Sequence, residues 1–403
     1  MRRVERQSST SHYQEKRRLE ALSRQRAWRR DLTAQARQLA LCEQTIAASP
    51  AASQVQDPED HSHDTSANNR GKERHSASSL HGSGLPSYFS NQLMQHEWLT
   101  DIPGDLASNW LVMPRAEGQR CLVIASRQRT VSRTRSGYIL HSFASTLPGG
   151  SRATHGNSEA FTILDTIFSE ADCTYFVIDV MAWSGYLLYD CTAEFRSFWI
   201  QSKLAEIADA GSCQGGFHFT PVPVYPCDPG GLQAAYSGIV PFQVRDGLLF
   251  LNKEAHYDLG QSPLALVWKD AHISRYILDT GAAGVVPEWQ HIVLQFLDSG
   301  HVATGDVPPI IVCTVPNDVL REKQDQLRNG RLLRFSVRKG GLYLRDGELI
   351  GAELQFEGLV NQRRGRADIC SKIVFQYLAR HSPITMAQLL EVSCLELDEH
   401  CQH

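Results

Sequence analysis

A charge divide constrains this chain more than any other feature. Residues 1–40 hold eleven Lys/Arg against four Asp/Glu, a net +7, whereas the whole 403-residue chain carries −4. Residues 41–403 therefore sum to −11. One hydrophobic core gains nothing from such a divide, so the basic stretch reads as a docking element for an acidic partner, protein or nucleic acid. With 42% hydrophobic residues the acidic body has the means to build a large core, since a chain of about 300 residues buries roughly 75% of its unfolded surface. No run of 18 apolar residues is present, which argues against a membrane-spanning helix. The start Met1-Arg2-Arg3 has no apolar stretch behind it and is not expected to be a secretory signal. The ten cysteines form no CxxC pair and are expected to be reduced thiols, as in a cytoplasmic or nuclear protein.

The basic arm, residues 1–42, contains neither Pro nor Gly. Trp28, Leu32, Ala36 and Leu39 recur at helical spacing, so one helix is expected over residues 12–41. Around that stripe stand Lys16, Arg17, Arg18, Arg24, Arg26, Arg29, Arg30 and Arg37. Such a helix is expected to order only on a partner. Residues 43–87 are rich in Ser, Ala, Asp, His, Asn and Gly and read as a flexible, disordered linker; His61 and His63 fall in this low-complexity stretch. From residue 88 the composition changes. A short helix is expected around Asn91–Leu99, followed by strand-like runs such as Trp110–Met113, Cys121–Ala125, Thr162–Phe168, Tyr175–Trp183, Gly247–Leu251 and Leu264–Trp268. Short strands separated by Gly/Pro turns predict an α+β body with antiparallel sheets over residues 88–284. Residues 285–403 form an extension expected to pack on that body, closing with helices at Ile369–Ala379 and Thr385–Val392.

The string Arg115-Ala-Glu-Gly-Gln-Arg120, followed by the apolar run Cys121–Ala125, resembles the Lys-x-Asp-Gly-x-Arg motif of covalent nucleotidyltransferases, the mRNA capping enzymes and DNA ligases. There a Lys attacks the α-phosphate of a nucleotide. Here Arg115 stands at that position, and a guanidinium stays protonated and cannot serve as the nucleophile. Asp246-Gly-Leu-Leu-Phe250 and Val267-Trp-Lys269 loosely match two later motifs of the same enzymes, in the same order. Together they predict a nucleotidyltransferase-like, capping-enzyme- or ligase-like body that has lost its chemistry.

Longer strings are more specific. Gln14-Glu-Lys-Arg-Arg-Leu19 through Ala34-Gln-Ala-Arg-Gln-Leu39, Asn91-Gln-Leu-Met-Gln-His-Glu-Trp-Leu99, Gln119-Arg-Cys-Leu-Val-Ile-Ala-Ser-Arg127, Arg135-Ser-Gly-Tyr138 and Ile178-Asp-Val-Met-Ala-Trp183 resemble the snurportin family. The resemblance covers the arm and roughly residues 88–280. It implies a non-enzymatic nuclear import adaptor that shuttles between cytoplasm and nucleus. Its body would bind the 2,2,7-trimethylguanosine cap of spliceosomal small nuclear RNAs, and its arm (Lys16, Arg17, Arg18, Arg24, Arg26, Trp28, Arg29, Arg30 and Arg37) would bind importin-β. An export receptor is a further implied partner, served in animal members by a leucine-rich segment ahead of the arm. The resemblance places Trp268 in a stack on the methylated base, whose delocalised charge favours an aromatic face. Trp98 would sit near the methylated amine, and Gln119, Arg120 and Arg135 along the triphosphate. Gln95, His96 and Arg127 are further implied contacts, the first two departing from the smaller pair of animal members. Trp110, Trp183 and Trp199 lie in apolar runs and read as core.

Two rival readings remain at this level: an active guanylyltransferase-like enzyme, and a general RNA-binding protein whose arm holds phosphates. No Lys occurs between Lys72 and Lys203, which weighs against the enzyme. No cofactor is implied, and the tail Cys394, His400, Cys401 and His403 fits no zinc spacing.

Overall fold

The computed structural model describes residues 12–27, 32–47, 88–152, 160–208, 216–280, 284–361 and 365–401. The arm forms two helices, α1 (His12–Ala27) and α2 (Thr33–Ala47). Leu32 is not helical, so the single helix expected over 12–41 is divided; Trp28, Arg29 and Arg30 lie outside the described residues. Next come β1 (Met94–Trp98), α3 (Leu106–Asn109), β2 (Trp110–Ala116), β3 (Gln119–Ser126), β4 (Arg129–Thr134), β5 (Ile139–Phe143), β6 (Phe161–Ser169), β7 (Thr174–Trp183) and β8 (Tyr186–Leu187). They are followed by α4 (Ala193–Ala208), β9 (His218–Pro221), β10 (Tyr225–Pro226), α5 (Pro229–Ser237), β11 (Arg245–Asn252) and β12 (Gly260–Trp268). α5 starts where the sequence dictates: Pro229 occupies its first turn and Asp228 caps it, Oδ1 accepting from Gly231 N at 2.7 Å.

Among the described residues these strands make two largely antiparallel sheets. One has the order β1-β12-β11-β2-β10, the other β5-β4-β3-β6-β7-β8 with β9 beside β7. The facing sides bury Met113, Leu249, Leu251 and Val267 against Leu122, Ile124, Ile163 and Ile178. The outer face of the second sheet is covered by Ile200 and Leu204 of α4. β1 replaces the helix expected around Asn91–Leu99. It is an edge strand held by parallel pairing to β12, Trp98 opposite Val267, and a partner 169 residues away leaves no local signal.

The chain continues through β13 (His291–Phe296), β14 (His301–Ala303), β15 (Ile311–Thr314), α6 (Asn317–Glu322), β16 (Leu332–Arg345), β17 (Glu348–Leu359), α7 (Cys370–His381) and α8 (Met386–Cys401). Its strands form a sheet of order β15-β14-β13-β16-β17 around a separate core of Ile292, Leu294, Val302, Val312, Leu333 and Phe335. α7 and α8 turn back to the body. Phe375 and Leu389 pack on the outer face of the first sheet with Trp110, Val112, Leu248, Phe250, Leu266 and Trp268.

The arm does not wait for a partner. Ala21, Ala36, Leu39 and Ala40 are buried in the central core. Arg17 pairs with the buried Glu97 at 2.5 Å, Arg18 donates to Asp101 O at 2.9 Å, and Gln25 donates to Glu254 O at 2.7 Å. The acids and carbonyls that receive this helix are far away in sequence, which is why its stripe reads as unpartnered.

Candidate functional site

Between the two sheets, at the end where β2 turns into β3, basic side chains converge. β1 supplies His96, β2 Arg115, β3 Arg120, the β4–β5 turn Arg135, and the chain just after β12 Lys269. Their charges act on one another in part. Burial, then Arg120, Arg115 and Arg135, hold His96 well below the usual imidazole range. Burial followed by Arg120 and Arg135 pulls Arg115 down to about 10. Burial and then Arg115 pull Lys269 down to about 7. A neutral imidazole and depressed cations report positive potential that an incoming anion would relieve.

Two carboxylates organise this mouth. Asp246 pairs with Arg115, receives Lys269 Nζ at 2.7 Å and accepts from Ser274 Oγ at 2.5 Å. It reaches these groups through a bulge in β11 at Gly247. Gly247 has φ +104°, and a Cβ there would come within 2.4 Å of Trp268 O, so only glycine allows the bend. Asp165, fully buried on β6, accepts from Arg120 Nε at 2.9 Å, Arg120 Nη2 at 2.5 Å and Tyr257 OH at 2.7 Å. Burial works against the charge of Arg120, yet Asp165 holds its pKa above the ordinary value. Arg120 also donates to Met94 O at 2.6 Å.

The expected contacts divide sharply. His96, Arg120 and Arg135 meet at the mouth; Gln119 and Arg127 do not. Gln119 is exposed and precedes Arg120 on β3, so alternation turns it to the opposite face. Arg127 lies in the turn at the far end of β3, roughly 20 Å away along the strand. Gln95 pairs with Gln261 across β1 and β12.

Trp268 overturns its expectation. It is completely buried in the core under α7 and α8, and its Nε1 donates to Ile384 O at 3.0 Å. Val267 and Ala265 take the side facing the other sheet, whereas Trp268 and Leu266 take the outer side. A shift of one residue along a strand exchanges its faces, and the tryptophan is on the wrong one for a ligand in the mouth. Trp98 is half-buried. Its backbone N–H donates to Ser371 Oγ at 3.1 Å, and Phe375 lies 4.6 Å from its ring at 39°. The cavity left between Lys269, Phe375 and Ile384 is about 10 Å³, the size of a water site. Of the arm residues, Arg17 and Arg18 are engaged with the body as described, while Lys16, Arg24, Arg26 and Arg37 are exposed.

Sequence reading passed over Lys269 and Asp246 as parts of one site, although their places in the degenerate motifs were a signal. It also passed over Tyr276, 45% exposed, whose carbonyl receives Lys269 Nζ at 3.4 Å. Among the described residues no group of three His, Cys, Asp or Glu side chains could hold a metal ion, and no helix is long and apolar enough to cross a membrane.

An α+β body with antiparallel sheets and a cationic mouth between them is a body suited to a phosphorylated ligand. Residues 92–270 match the family model described as the Snurportin1 m3G cap-binding domain. Solved structures similar to the chain include a mycobacterial DNA ligase D complexed with ATP and MES, at 12% identity over 68% of this chain and 95% of the ligase, TM-score 0.32. Another is the Chlorella virus DNA ligase-adenylate, at 12% identity over 67% of this chain and 99% of the ligase, TM-score 0.26. Likeness at this level carries no functional weight.

Proposed function

We propose that this protein binds the trimethylguanosine cap of spliceosomal small nuclear RNAs and carries the ribonucleoproteins into the nucleus as a non-enzymatic adaptor, its arm engaging importin-β. The observation that carries the cap reading is the convergence of Arg115, Arg120 and Arg135 on His96, with Lys269 beside Arg115, within the segment that matches the cap-binding family model. The triphosphate bridge lies among these cations, and the bound anion draws a proton onto His96. For the methylated base, Trp98 and the exposed ring of Tyr276 at the rim are the aromatic faces, in place of Trp268. For importin-β, the exposed Lys16, Arg24, Arg26 and Arg37 supply cations while the arm stays docked. Arg17 and Arg18 join them when α1 leaves Glu97 and Asp101. An adaptor of this kind shuttles between cytoplasm and nucleus, with an export receptor returning it.

Titrating the purified protein with trimethylguanosine-capped dinucleotide, monomethyl cap competing, tests the reading. Saturable tryptophan quenching that prefers the trimethyl form supports it, and absence of binding to either cap rejects it. Lys269 sustains a second reading, covalent nucleotidylation, because burial and Arg115 lower its pKa to about 7. Asp246 at 2.7 Å opposes this by favouring the ammonium. An acid-labile adduct on Lys269 after incubation with labelled GTP and magnesium would establish the enzyme instead.

A further inference from the structure

The unit after residue 284 closes on itself. Its strands run β15-β14-β13-β16-β17, and β17 returns to β15: a Cβ on Gly351 would lie 3.6 Å from Val312 O. Counted within the unit, the circular order is first, second, third, fifth, fourth, first, and α6 connects the third strand to the fourth. α6 contributes Val319 to one part of the interior, and Ile373 and Val374 of α7 fill another. This is the five-stranded Greek-key barrel of the OB-fold, which binds oligonucleotides on its strand 2–3 face and through loops that include the one joining strands four and five; here the fourth and fifth strands, β16 and β17, meet at the turn after Arg345.

The outer surface of this barrel carries apolar side chains that its core does not claim. Tyr343 pairs with Gly351, and Leu344 with Leu349, which leaves Ile350 as an extra residue in a bulge. Leu342, Leu344 and Leu349 point into the barrel; Tyr343, Ile350 and Ile311 are each about half exposed. The ring of Tyr343 lies across Gly351, its Cδ2 being 3.2 Å from where a Cβ would stand. The face is therefore an exposed aromatic platform beside β15.

Its position ties it to the cationic mouth. The exposed Arg366 donates to Arg135 O at 3.3 Å. Two residues on, Asp368 O accepts from Gly305 N at 2.8 Å, in the loop that leads into Ile311. That loop also receives Gln261 Nε2 at Gly305 O, 3.4 Å, and Gln261 pairs with Gln95, next to His96. A continuous path of contacts runs from the mouth to the platform.

We propose that the barrel is a second RNA-binding surface, on which the single strand following the cap passes Arg366 and stacks a base on Tyr343. The inference rests on the cap-binding reading for its direction. RNA is the occupant because these contacts lead from the phosphate mouth past Arg366 to the platform, which together offer what sequence-tolerant strand binding uses, a cation for the backbone and an aromatic face for a base.

The test compares three probes on the full chain: capped dinucleotide, a capped single-stranded ten-nucleotide RNA, and the same RNA uncapped. The capped ten-mer is expected to bind about tenfold tighter than the dinucleotide, the gain of one stacked base. Tyr343→Ala removes that gain and leaves dinucleotide binding unchanged. Arg366→Glu lowers the salt dependence of ten-mer binding by about one phosphate contact. Equal affinity for ten-mer and dinucleotide, or a ten-mer indifferent to both substitutions, overturns the inference and leaves the platform to a protein. If no cap binds but the uncapped ten-mer binds through Tyr343, the cap reading fails and the barrel surface stands.

Discussion

The two faces of the sheet β1-β12-β11-β2 are built from the same strands for opposite ends. The inner face gathers His96, Arg115 and the Asp246 carboxylate at its rim, and its charges are held by ion pairs that a phosphate can enter. The outer face gathers Trp110, Phe250 and Trp268 and is sealed by Phe375, Leu389 and the backbone at Ile384. Cations and aromatics are the two halves of a cap receptor, and here the largest aromatic went to the sealed side. A side chain's type establishes what it can bind; strand parity establishes whether it is offered.

Substitutions that separate the faces are the strongest way to break this contrast. Trp268→Ala is expected to cost about 3–5 kcal/mol of stability, because it opens a cavity in a closed core and strands Ile384 O. Urea unfolding measures the loss, and cap affinity per folded molecule is expected to stay at the wild-type value. A stable Trp268→Ala protein that no longer binds cap would show that the tryptophan serves the ligand.

The contrast also explains what was legible in the sequence. The degenerate motifs at Arg115, Asp246 and Lys269 were legible because their spacing follows the chain; that Arg115, Asp246 and Lys269 meet in one mouth was not. The α7 region was readable from its apolar period, and the observed helix, Cys370–His381, lies within two residues of the expected bounds. Trp268 was misplaced because a motif records residue order, not which way a strand faces. β1, the docking of the arm and the closure of the C-terminal barrel were illegible for one reason: each is completed by residues more than 35 positions away. Trp98 needs Val267, Arg17 needs Glu97, and β15 needs β17.

A smaller effect is expected where the arm meets the body. Glu97→Gln deprives Arg17 of its buried partner and should loosen α1 by about 1–3 kcal/mol, less than a fully enclosed pair because Arg17 can turn to water. Faster tryptic cleavage at Arg24 and Arg26, with tighter binding of an acidic receptor, would follow. Unchanged cleavage would mean that the apolar contacts of Ala21 and Leu39 hold the arm alone.

The smallest effect is a proton. His96 binds a proton more weakly in the folded chain than in the unfolded one, so the unfolded chain takes up a proton first as pH falls. Stability from this group is present above pH 6.5, the ordinary imidazole value, and is lost as pH falls below it, by at most about 1.4 kcal/mol per pH unit. Bound phosphate reverses the preference, so cap binding near pH 6.5 should take up less than one proton, read as a buffer-dependent binding enthalpy that His96→Gln abolishes.

In the proposed function the inner face holds the cap's phosphates and the outer face is core. Calorimetric titration of trimethylguanosine-capped dinucleotide into wild type, Arg135→Glu and Trp268→Leu tests it most directly. The expected result is an affinity at least about tenfold weaker for Arg135→Glu, the loss of a charge-assisted phosphate contact, with Trp268→Leu binding as wild type. Binding that survives Arg135→Glu and disappears in a folded Trp268→Leu protein would contradict the account.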